Sequence, residues 1–159
     1  MTMTETRPGV DPNVADNELR ITRTFNAPAA RVFDLWADAE KRVKWWGPAS
    51  FTCLSFEHDF REGGAWKALN RHDTGKASGA GGVYRAIETN KRLVFTFVWD
   101  NPENAFDSVV TVTLAEQGGK TVQTFHQTGF RSADSRNQHV GGWSQFFDTE
   151  SAFLEGEAK

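Results

Sequence analysis

The segment DSRNQHVGGWSQFFDTESAFLE, Asp134 to Glu155, decides how the rest of the chain must fold. At roughly 100° per residue from Trp143, the side chains of Phe146, Phe147, Phe153 and Leu154 fall on one broad helical face, and Gln145, Asp148, Thr149 and Ser151 spread over the remainder. Such a face must be buried against a partner. His139 and Glu150 project onto it as well, and Glu150 stands between Phe147 and Leu154, where an apolar residue is expected. A carboxyl there is either a partnered core group or part of a pocket, and desolvation raises its pKa unless a cation compensates.

The partner must come from upstream, where the pattern is mostly strand. Leu19, Ile21 and Phe25 alternate with polar residues, Arg23 intrudes on their side, and Asn26-Ala27-Pro28 ends the strand. Pro28 opens a helix carrying Val32, Leu35 and Trp36; Asp38 caps a second, carrying Val43 and Trp45, which Trp46-Gly47-Pro48 stops. From Phe51 the period changes to strands over Phe51 to Phe60, Gly64 to His72, Gly82 to Glu88, Leu93 to Trp99, Ser108 to Leu114 and Thr121 to Thr128. Short turns make these an antiparallel meander, and the first strand brings the sheet to seven. The expected fold is therefore α+β of the helix-grip kind: a seven-stranded antiparallel sheet wrapped around a long C-terminal helix, with two short helices after the first strand. Residues 1–17 read as a flexible tail and 18–157 as a single domain.

Composition narrows the function. With 18 basic and 21 acidic side chains in 159 residues, the chain has no electrostatic grip on nucleic acid or on an anionic membrane. Small molecules or proteins are the expected partners. A single cysteine, Cys53, allows no internal disulfide, and the absence of an apolar leader or span points to the cytoplasm. A symmetric dimer is compatible with the chain, although no stretch marks an interface. The histidines show no metal-ligand spacing, Gly79-Ala80-Gly81-Gly82 fits no phosphate-binding fingerprint and reads as turn or bulge glycines, and no nucleophile elbow is present. Neither a metal nor a cofactor is expected. The notable excess is aromatic: six Trp and thirteen Phe, able to fill a core or line a cavity.

Polar residues then stand out on sides that should face the helix. Trp66 and Ala68 share a side of their strand with Asn70 and His72, and Phe125 shares one with Gln123 and Gln127. With Glu150 these amides would converge on one interior space, walled by Trp66, Phe97, Phe125, Trp143 and Phe147. Each residue has a plainer reading: Glu150 paired with Arg23 or Arg71, the amides satisfied at the sheet rim, the rings as ordinary packing. Trp46 and Trp99, at element ends, are candidates to gate a cavity mouth.

The chain resembles the START-like, birch-pollen-allergen-like superfamily (SRPBCC), in the branch named after the activator of heat-shock-protein-90 ATPase. The resemblance is carried by Arg23-Thr24-Phe25-Asn26-Ala27-Pro28, Trp45-Trp46-Gly47-Pro48, Asp59-Phe60-Arg61-Glu62-Gly63-Gly64-Ala65-Trp66, Arg92-Leu93-Val94-Phe95-Thr96 and His139-Val140-Gly141-Gly142-Trp143. It implies the same fold with a central cavity. Glu150, Asn70 and Gln123 depart from the family pattern toward a more polar pocket. Three functions are expected from such a protein. The first is a binding protein for a small, largely apolar or amphipathic ligand. The second is a cyclase- or dehydratase-type enzyme in which Glu150 moves a proton while Asn70 or His72 orients a carbonyl. The third is a ligand-free interaction or co-chaperone-like module.

Overall fold

A computed structural model describes residues 15, 17–47, 51–103 and 105–157, so most of the expected tail, and Pro48, lie outside the described residues. The elements run β1 (Glu18–Phe25), α1 (Ala29–Ala37), α2 (Ala39–Trp45), β2 (Phe51–His58), β3 (Ala65–His72), β4 (Ala77–Glu88), β5 (Arg92–Trp99), β6 (Ser108–Gln117), β7 (Lys120–Thr128) and α3 (Ala133–Glu157). One antiparallel sheet holds all seven strands in the order β1-β7-β6-β5-β4-β3-β2. Asp38 accepts from the backbone N–H groups of Glu40 and Lys41 and thereby starts α2. Ser132 Oγ accepts from Ser135 N–H at 3.1 Å and does the same for α3.

Burial follows the pleat. Trp66, Ala68 and Asn70 of β3, Leu93, Phe95 and Phe97 of β5, and Thr121, Gln123, Phe125 and Gln127 of β7 are buried, while alternate residues are half-buried or exposed. On α3 the buried positions Arg136, Val140, Trp143, Phe147, Glu150 and Leu154 recur at spacings of three and four, and Phe146 is buried beside them. Glu150 thus occupies the centre line of the buried stripe. Phe153, expected on that stripe, is only half-buried.

The structure corrects the expectation for the glycine run. Residues Gly79 to Gly82 are neither turn nor bulge; β4 begins at Ala77, and Leu69, Ala68, Lys67 and Trp66 of β3 pair in turn with Gly79, Ala80, Gly81 and Gly82. Sequence patterning hides this strand because small residues carry no hydrophobic period. Glycine is required at 82 by close approach: a Cβ there would drive into the Thr96 carbonyl oxygen. The same carbonyl accepts the Trp66 indole N–H at 2.9 Å, reached across β4 over this glycine.

The two glycine classes predict opposite effects. Gly82→Ala should lower stability by roughly 2–4 kcal/mol through this collision. Gly141 is exposed within α3, with nothing within 4 Å of an added Cβ, so Gly141→Ala should raise stability by about 0.5–1 kcal/mol. Urea denaturation of both variants measures the two signs.

Candidate functional site

At one end of the sheet the first residue of β2, the last turnward residues of β3, the start of β4 and the last residue of β5 come together opposite the first half of α3. Between them lies a hollow of about 240 Å³. The sheet contributes Phe51, Asn70, Ser78 and Trp99, and the helix contributes Gln138, His139, Gly142, Trp143 and Phe146. Register explains the convergence, since Asn70 pairs with Ser78 and Ala80 with Trp99. Helix phase explains the other wall, since 138, 142 and 146 are successive turns of one stripe. A wider cleft of about 660 Å³ shares Phe51, Ser78 and Trp99 with the hollow and adds Thr74, Lys76, Ala77, Asp100 and Asn101, all exposed.

The hollow's polar groups are mostly committed. His139 Nδ1 lies 2.8 Å from the Ser135 carbonyl, which can only accept, so this nitrogen carries the proton. Its Nε2 then accepts the Trp99 indole N–H at 3.1 Å. Burial holds the His139 pKa below its usual value, against the opposing pull of the Ser135 carbonyl. Trp143 donates its own indole N–H to Gln127 Oε1 at 2.8 Å. Asn70 is different: only 9% exposed, it has no partner for Oδ1.

Behind this wall the structure builds a polar interior. Trp36 donates to Gln123 Oε1 at 3.0 Å, and Gln123 Nε2 donates to Glu150 Oε1 at 3.1 Å. In parallel, Gln127 passes from Trp143 to Ser108 Oγ, which donates to the Phe97 carbonyl. Glu150 is fully enclosed, its Oε2 unpartnered, and desolvation pushes its pKa up to about 8 in spite of Gln123, Arg42 and Arg23. At neutral pH it is therefore mainly an uncharged acid. Arg23, a suggested partner, instead reaches Asp148 at 2.8 Å, and Arg71 is exposed on the other side of β3.

A buried cation that the sequence pattern did not single out lies in the same interior. Arg42 is 0% exposed, and its guanidinium lies 4.4 to 5.7 Å from the ring centres of Trp36, Trp46, Phe56 and Phe95. It donates to the Trp36 carbonyl at 2.8 Å and to the Tyr84 hydroxyl at 3.3 Å, and Tyr84 donates on to His58 Nδ1 at 2.7 Å. Burial works against its charge, and Tyr84 is the foremost group favouring it.

Of the residues expected to bind a ligand, Asn70 and Trp143 border the hollow, together with His139 and Phe146 from the helical face marked in the sequence. Trp66, Phe97, Phe125 and Phe147 pack into the aromatic interior, with Trp143 4.6 Å from Phe125 and 5.4 Å from Phe97. Glu150, Gln123 and Gln127 are buried but border neither the hollow nor the cleft beside it, and His72 borders the cleft alone. Trp99 stands at the hollow, whereas Trp46 is 3% exposed and does not border it, lining instead a separate pocket with Gly47, Cys53 and Thr149. Phe51, Ser78, Gln138 and Gly142 were not anticipated, although the four-residue spacing of Gln138, Gly142 and Phe146 was available as a signal. Among the described residues no three His, Cys, Asp or Glu side chains are grouped to hold a metal ion, and no helix is long and apolar enough to cross a membrane.

A curved antiparallel sheet closed by a C-terminal helix, with an apolar hollow at their junction, defines a protein of the helix-grip class. The chain belongs to the family described as activator of Hsp90 ATPase homolog 1-like protein, whose profile matches residues 26–154. Among solved structures it is similar to a Chromobacterium violaceum protein, at 29% identity and TM-score 0.81 over 89% of this chain and 99% of that one. An Arthrobacter aurescens protein is 23% identical with TM-score 0.81, covering 92% of this chain and 91% of its own. The AHSA1 protein of Silicibacter pomeroyi is 21% identical with TM-score 0.78, covering 88% and 99%. No curated protein matches the chain.

The neutral acid predicts a pH dependence of known sign. From pH 4.5 upward the unfolded carboxyl releases its proton while the folded one keeps it until about pH 8, so the folded state binds more protons and stability falls across that window. The loss attributable to Glu150 should be on the order of 5 kcal/mol, complete above pH 8. His139 and His58, held down by burial, contribute the opposite slope, with stability lost as pH falls below 6.5. Subtracting the stability profile of Glu150→Gln from that of the wild type isolates the falling component.

Proposed function

We propose that this chain is a binding protein for a small, largely apolar, uncharged molecule, held between the ends of β2 to β5 and the first half of α3. The observation that carries this reading is Gly142. A glycine inside a helix costs about 0.5–1 kcal/mol relative to alanine, and here nothing lies within 4 Å of where its Cβ would stand. That open space belongs to the hollow, so any side chain at 142 would occupy it. The hollow is kept empty where filling it would stabilise the helix.

The rings on its walls and the single unpartnered amide are the surroundings a small-molecule site requires. The charge balance and lone cysteine support a cytoplasmic setting. Glu150 gains no support as a proton-transfer group, because a substrate in the hollow does not reach it; we read it as part of the interior that holds the wall in place.

Protein purified from its own host should carry a small molecule detectable by native mass spectrometry. The same mass should persist in Gly141→Leu and disappear from Gly142→Leu, both variants remaining folded. Retention of that mass by Gly142→Leu would place the ligand elsewhere.

A further inference from the structure

We propose that the hollow takes a neutral aromatic molecule of one or two rings bearing a hydroxyl group, and that Asn70 recognises the hydroxyl. The inference rests on the binding reading above and names the class of occupant. Size sets the first limit: about 240 Å³ is just under the range of about 300–1,000 Å³ typical of drug-sized ligands. One or two rings fit such a space.

Charge sets the second. Among the described residues, no Lys, Arg, Asp or Glu borders the hollow. His139, the one titratable group on the wall, has its proton directed at the Ser135 carbonyl and its lone pair occupied by Trp99. A carboxylate ligand would meet no cation there, and an ammonium would meet no anion. Either would be desolvated without a partner.

Shape and hydrogen bonding set the third. Phe51, Trp99, Trp143 and Phe146 offer ring surfaces, which favour stacked or edge-on contact with another ring. Both indole N–H groups on the wall are already donated, to His139 and to Gln127. Among the described wall residues, the polar atom that is both buried and unpartnered is Asn70 Oδ1. Asn70 Oδ1 is closed to water as the amide stands, and turning the amide about its Cβ–Cγ bond exchanges oxygen for nitrogen at the hollow; a neutral hydroxyl, which both donates and accepts, pairs with whichever atom faces it. Ser78 is half-buried and Gln138 exposed, so both retain access to water at the rim.

The test is an NMR titration of the ¹⁵N-labelled full chain with 2-naphthol, naphthalene and 2-naphthoate, read on the indole N–H signals of Trp99 and Trp143. In the wild type, 2-naphthol should shift both signals saturably and bind roughly tenfold or more tightly than naphthalene, with 2-naphthoate the weakest. Asn70→Leu should keep naphthalene binding and erase the preference for the naphthol, and Gly142→Leu should abolish binding of all three. Equal binding of naphthol and naphthalene by the wild type, or tightest binding of the naphthoate, would overturn the proposal without recourse to any variant. If no probe binds while a Gly142-dependent mass still co-purifies, the aromatic class is wrong and the binding function stands. If that mass is missing too, both fail.

Discussion

The guanidinium of Arg42 is wholly withdrawn from water, and the arrangement of the N-terminal half follows from keeping it so. Stripping a cation of its hydration costs several kcal/mol, and two of its nitrogens, Nε and Nη2, have no hydrogen-bond partner. Compensation comes from aromatic faces on separate elements: Trp36 from α1, Trp46 at the end of α2, Phe56 from β2 and Phe95 from β5. A desolvated cation over such a ring gains about 2 kcal/mol or more. The Trp36 carbonyl ties it to the first helix, and Tyr84 ties it to β4 and onward to the half-buried His58. One side chain therefore fixes both short helices against the sheet.

On the opposite side of the core, β7 does comparable work with two amides. Gln123 and Gln127 point inward from the same pleat, each accepting an indole N–H and each donating to an oxygen beyond. Gln123 links α1 to α3 through Glu150, and Gln127 links α3 to β6 and β5 through Ser108. Buried polar chains of this kind specify one packing more sharply than interchangeable hydrocarbon does. A glutamic acid can terminate the first chain because burial keeps it protonated.

Architecture was legible in the sequence because it depends on period. The alternation in β1, β3, β5 and β7 and the helical stripe of α3 each carry their own signal, so the meander from β2 to β7 and the inward turn of Asn70, Gln123, Gln127 and Glu150 were legible, whereas the place of β1 beside β7 was not. Nor was the start of β4, since Ala77 to Gly82 has no large side chains to alternate. The site was harder. Sequence logic gathered the inward polar groups into one cavity, but Gln123, Gln127 and Glu150 find partners among themselves and the indoles, and of these groups Asn70 alone reaches the hollow. Its walls are strand ends, whose meeting depends on register and curvature rather than on local pattern. Arg42 sits among Lys41 and Lys44 in a helix that looks solvent-facing. Its phase, three and four residues before Trp45 and Trp46, was the available clue.

Trp46 lies 5.6 to 6.1 Å, centre to centre, from Trp36, Trp45, Trp66 and Trp143. Indoles fixed at such separations in an asymmetric setting do not absorb or emit as independent chromophores. Excitation of any one is shared through the group, so a molecule resting against Trp143 alters the fluorescence of Trp45, which does not border the hollow. The protein's own light thus registers a change at any one of these rings, and its near-ultraviolet dichroism registers any loosening of the core even while the backbone ladders persist.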